Sequence, residues 1–94
     1  MKACPVYNDK AKQVLIGYSI FCPGCKQYHI LDKRWVFNEN LESPTFTPSL
    51  NCNRDYPEIR CHSFITDGKI QFLSDCFHSL VNQTVELPEN DWSN

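Results

Sequence analysis

Cys22-Pro23-Gly24-Cys25, within FCPGCKQYH, has the C-x-x-C spacing that lets two thiolates converge on one metal ion. Structural zinc takes four protein ligands, so this knuckle needs a second half. Cys76 and His78, in DCFH, are the expected pair, because they arrive just after a hairpin, as the second half of a zinc ribbon would. The expected ligand set is therefore Cys22, Cys25, Cys76 and His78. Cys61, His62 and His29 compete for the second half, with His62 in place of His78 as the main alternative. Cys4 and Cys52 have no partners at ligand spacing and read as free thiols.

Six cysteines could instead form three disulfides. Residues Met1 to Lys10 contain no apolar run resembling the core of a secretory signal, so a cytoplasmic, reducing setting is expected. In such a setting clustered Cys and His are better read as metal ligands. A catalytic zinc keeps a coordination position open and commonly has a carboxylate base beside it. The chain has no H-E-x-x-H, and no H-x-E to accompany its P-C-x-x-C. A structural zinc is favoured, and an open site of Cys22, Cys25 and His62 with Asp75 as base is the alternative.

The preferred ligand set leaves His29 and His62 unassigned. An imidazole can act as general base to a hydroxyl when the two reach hydrogen-bond distance and a third group orients the base. Ser49 is the best hydroxyl, ahead of Ser63 and Ser79. In SPTFTPSL it shares one side of an alternating run with Thr45 and Thr47, while Phe46, Pro48 and Leu50 take the other. Pro44 and Pro48 cannot donate to a sheet ladder, which places this run at a sheet edge. Read from its residue type alone, Ser49 is a solvated hydroxyl.

These residues must be positioned by strands. Gln13 to Phe21 is rich in β-prone residues and feeds the knuckle, and Tyr28 to Leu31 and Arg34 to Phe37 are short strand candidates. Asn38 to Ser43 and Asn51 to Glu58 read as loops. Asp67-Gly68 between two β-prone runs specifies a two-residue hairpin. Pairing Thr66 with Lys69 then sets Ile65 against Ile70 and Phe64 against Gln71, and sends Cys61 and His62 to opposite faces. Ser74 or Asp75 could cap a short helix reaching about Asn82. Thr84 to Leu87 resumes strand character, and the last six residues read as frayed. The fold class expected is mainly β with a small α component: one antiparallel domain over residues 1–94, with a zinc-ribbon-like site and one short helix.

The net charge of −2 supplies no basic footprint for nucleic acid. No apolar run approaches the roughly 20 residues that span a bilayer, so no membrane partner is expected.

In combination, FCPGCKQYHI, PTFTPSL, CHSFITDGKIQFLSDCFH and QTVELP resemble a family of small phage and bacterial proteins, sometimes mislabelled ammonia monooxygenase, over about residues 18–88. Relatives in that family occur in bacterial operons for ubiquitin-like conjugation and are regarded as serine peptidases with a supporting zinc. The resemblance implies Ser49 as nucleophile, His62 as its base, and Cys22 and Cys25 as metal ligands. His29 or Asp75 would then orient or assist the imidazole. The substrate implied is a ubiquitin-like protein or its conjugates, with phage counter-defence as one implied setting. The alternatives are a non-enzymatic zinc-ribbon module that binds a host protein through Trp35, Phe37 or Tyr56, and a zinc-dependent hydrolase.

Overall fold

A computed structural model describes residues 1–9, 11 and 14–93. Eight strands occur among these residues: β1 (Cys4–Tyr7), β2 (Leu15–Cys22), β3 (Gln27–Leu31), β4 (Val36–Phe37), β5 (Phe46–Cys52), β6 (Cys61–Thr66), β7 (Lys69–Phe72) and β8 (Thr84–Glu86). They form two antiparallel sheets, ordered β1-β2-β3 and β4-β5-β6-β7-β8. Gln13, where the first long strand was expected to begin, lies outside the described residues. No described helix is long and apolar enough to cross a membrane.

The core lies where the inward faces of the two sheets meet. Strand alternation sends Ile20, Cys22 and Leu31 inward from the first sheet, and Phe46, Leu50, Cys61, Ile65, Ile70 and Phe72 inward from the second. Burying a side chain such as Phe72 or Ile65 is worth about 1.5–3 kcal/mol. Tyr18 of β2 packs against Phe37, 4.4 Å between ring centroids, and Phe37 stacks on Phe46 at 4.6 Å. These rings fasten the start of β5 to the first sheet.

The hairpin has the register its sequence specifies, Thr66 with Lys69 through Ser63 with Phe72. Asp67 (φ 51°) and Gly68 (φ 78°) both take the left-handed conformation that a tight two-residue turn requires.

The expected short helix after Ser74 is absent, and the described residues contain no helix. Residues 74–82 instead form successive turns, with Cys76 N bonded to Leu73 O, Val81 N to His78 O and Gln83 N to Leu80 O. The physical reason is competition for backbone donors. Phe77 N donates to Arg60 O, 2.9 Å away on the chain entering β6, and so is unavailable to the Ser74 or Asp75 side chain that would cap the helix. Asn82 ends the segment at φ 64°.

Three further expectations need correction. The segment around Pro48 is not an edge strand, since β5 lies between β4 and β6; β4 pairs only with Phe46 and Thr47, however, leaving Pro48 to Cys52 without a strand on that side. Asn51 and Cys52 continue β5 rather than starting a loop. The C-terminal tail is held through Trp92, whose ring packs on Tyr28, while the Asn90 carboxamide donates to Ser19 O at 2.9 Å; Asn94 lies outside the described residues.

Gly17 sits where β2 passes the end of β3. A Cβ there would fall 2.4 Å from Leu31 O, a backbone atom that cannot rotate away. Gly17→Ala should therefore cost about 1–3 kcal/mol through overpacking, read as a lower urea midpoint with an unchanged slope.

Candidate active site and metal cluster

Strands β5 and β6 pair as Leu50 with Ser63, Asn51 with His62 and Cys52 with Cys61. Between Phe46 and Leu50 the register shifts: β5 uses Thr47, Pro48 and Ser49 to cover what β6 covers with Phe64 alone. The Thr47–Pro48 peptide is cis and lies within this irregularity. Pro48 has no N–H to lose from a ladder, so proline suits the displaced stretch. Ser49 leaves it half-buried, with Leu50 turned into the core.

Ser49 Oγ is 3.0 Å from His62 Nε2, and His62 Nδ1 is 3.2 Å from Asp75 Oδ2. An ionised carboxylate can only accept, so the Nδ1 proton donates to Asp75 and leaves Nε2 free to accept from the serine hydroxyl. Arg60 Nη1 lies 3.5 Å from the same Asp75 oxygen. Burial pushes the Asp75 carboxyl upward, but its bonds with His62, its own backbone amide and Arg60 outweigh this and hold it below the ordinary value. The expected orienting pair was His29 or Asp75, and Asp75 is the one that reaches His62. His29 lies elsewhere, with its Nδ1 3.5 Å from Cys52 Sγ.

Cys76 has a place different from the one expected. Its Sγ accepts from His62 N at 3.2 Å and donates to His62 O at 3.0 Å, while Leu73 N also donates to that carbonyl at 2.9 Å. The turn that carries Asp75 is thus fastened to the backbone of the residue that Asp75 bonds. A thiol can do this because it both donates and accepts.

Cys61, one residue before His62, points to the opposite face. With Cys22, Cys25 and His78 it places four ligand atoms within 4.8 Å of one another, a set that could hold a metal ion. Cys61 replaces Cys76 in the expected quartet because the turn fastened to His62 keeps the Cys76 thiol on that backbone. Cys25 N donates to Cys22 Sγ at 3.3 Å, as expected where a tight knuckle supports a thiolate. Bonds from the Cys25 and Cys61 thiols push Cys22 far down, whereas the Cys22 and Cys25 thiols, with burial, push Cys61 far up. Three thiols in this space cannot all ionise without a compensating cation. Burial would push His29 down, but the Cys22, Cys25 and Cys52 thiols around it outweigh that and push it up to about 11.

Sequence spacing ranked Cys61 only as a competitor to Cys76, although the hairpin register already separated it from His62. The alternative open metal site of Cys22, Cys25 and His62 is not assembled, because His62 faces Ser49 and Asp75.

A hydroxyl, an imidazole and a carboxylate bonded in series form the arrangement by which serine hydrolases activate their nucleophile. The chain belongs to the family described as bacterial ubiquitination-like system serine protease (BubE), whose model matches residues 2–73. The matched span includes Ser49 and His62 and ends just before Asp75. No curated protein and no solved structure matches the chain.

A Cβ on Gly24 would lie 2.2 Å from the His78 ring, so the glycine makes room for that imidazole. Metal analysis of purified variants should show loss of bound metal in Cys61→Ser and a reduced content in Gly24→Ala. Cys76→Ser should retain the parent's metal content.

Proposed function

We propose that the protein is a serine peptidase that cleaves the acyl bond at the C-terminus of a ubiquitin-like protein or of its conjugates. The observation that carries this reading is the bonded series Ser49, His62, Asp75 on a chain of the BubE family. Ser49 Oγ attacks the acyl carbon as its proton passes to His62 Nε2. The imidazolium, held by Asp75, gives that proton to the leaving nitrogen; the carbon–nitrogen bond breaks and an acyl-serine remains. Water, deprotonated by His62, then attacks the ester and restores the Ser49 hydroxyl.

The ion we assign to Cys22, Cys25, Cys61 and His78 is zinc, in a structural role. With Zn–S of about 2.3 Å and Zn–N of about 2.0–2.1 Å, tetrahedral angles set two sulfurs about 3.8 Å apart and a sulfur and nitrogen about 3.6 Å apart. Cys22 Sγ and Cys61 Sγ are 3.9 Å apart, and Cys61 Sγ and His78 Nε2 are 3.5 Å apart. Four protein ligands leave no open position, so zinc bound there ties the knuckle to β6 and the 74–82 turns. The nucleophile and base face away from it.

A fluorophosphonate probe should label Ser49, and labelling should disappear in Ser49→Ala and His62→Ala, as read by peptide mapping. Asp75→Asn should preserve the fold and lower kcat by up to about 10⁴-fold by favouring the wrong imidazole tautomer. Labelling at another residue, or undiminished cleavage by Ser49→Ala, would sink the assignment.

A further inference from the structure

Transfer of an acyl group through Ser49 requires hydrogen-bond donors directed at the oxygen that becomes negative in the tetrahedral intermediate. We propose that the Asn51 carboxamide supplies one of these donors, an inference that rests on the serine-peptidase reading above. Asn51 is directly paired with His62 across β5 and β6. Directly opposed residues share a face, with Cβ atoms about 4.5–5.5 Å apart. Asn51 is also two residues beyond Ser49 on β5, where Leu50 and Cys52 turn inward while Ser49 and Asn51 turn outward. Nucleophile, base and carboxamide therefore occupy three corners of one small patch.

Two further observations distinguish Asn51 from an ordinary surface asparagine. Ser49 and Asn51 line the same groove, of about 530 Å3, whose other walls include Arg34, Trp35 and Tyr56. An acyl group placed on Ser49 Oγ would enter the groove that Asn51 also lines. The Asn51 carboxamide also has no hydrogen-bond partner among the described residues, whereas those of Asn38, Asn40, Asn53 and Asn90 each bond to the backbone. Those asparagines hold turns and the tail in place. Asn51 stands in a regular strand and has no such structural task.

The chemistry suits a neutral amide. Its N–H binds a developing oxyanion more strongly than a neutral carbonyl oxygen, so its contribution grows as negative charge develops. The effect should therefore appear in kcat and leave KM nearly unchanged.

Hydrolysis of p-nitrophenyl acetate by the full chain tests this. Asn51→Ala should lower kcat by about 10²–10³-fold with KM within about threefold of the parent. Asn51→Asp, which keeps the shape but loses the donors, should be at least as impaired. Both variants should retain the parent's circular dichroism and metal content. An Asn51→Ala kcat within threefold of the parent, or a loss confined to KM, overturns the role of Asn51. An undiminished rate in Ser49→Ala overturns the serine reading itself and the role of Asn51 with it.

Discussion

His62 is gripped on every side, and the rest of the site depends on that grip. Its backbone pairs with Asn51 across β5, its N–H and C=O are both bonded by the Cys76 thiol, and its ring joins Ser49 to Asp75. The imidazole is consequently held between two segments distant in sequence, β5 and the turn after β7. Each bond alone is worth on the order of 1 kcal/mol. Together they fix a ring orientation that a free histidine would adopt only in passing, which is the preorganisation that general-base catalysis relies on.

The same grip explains why the segment after β7 is a chain of turns. A helix from Ser74 would have turned the Cys76 and Phe77 amides toward its own cap and carried Asp75 along with it. Tertiary bonds to Arg60 O and His62 take precedence, and the segment delivers Asp75 to the outward face and His78 to the buried cluster. Local cap and propensity signals were overridden by a pair of polar commitments to β6.

Much of the site was legible in the sequence, and the residues show why the remainder was not. The knuckle of Cys22 and Cys25 and the register around Asp67 and Gly68 are local patterns whose chemistry is complete within a few residues. Ser49 looked like a solvated hydroxyl because its importance comes from His62, which reaches it only through long-range pairing and an irregular stretch around Pro48. Cys76 was favoured over Cys61 because ligand-like spacing can be counted along the chain, whereas the face of a strand matters only once its neighbours are known. Asn51 was read as a loop residue because its polarity resembled the loop that follows, and the pairing of β5 with β6 extends the strand past it.

Cys61 and His62 are consecutive, yet one belongs to the buried cluster and the other to the candidate catalytic face. This adjacency limits how the strand can change over evolutionary time. Side chains can be exchanged one at a time, but adding or deleting a single residue before the hairpin would reverse the faces of everything upstream of it. Such a length change would turn the imidazole toward the thiols and the thiol toward the hydroxyl, and both sites would fail at once. Members that keep this arrangement should therefore vary in the length of their loops far more readily than in the length of β6.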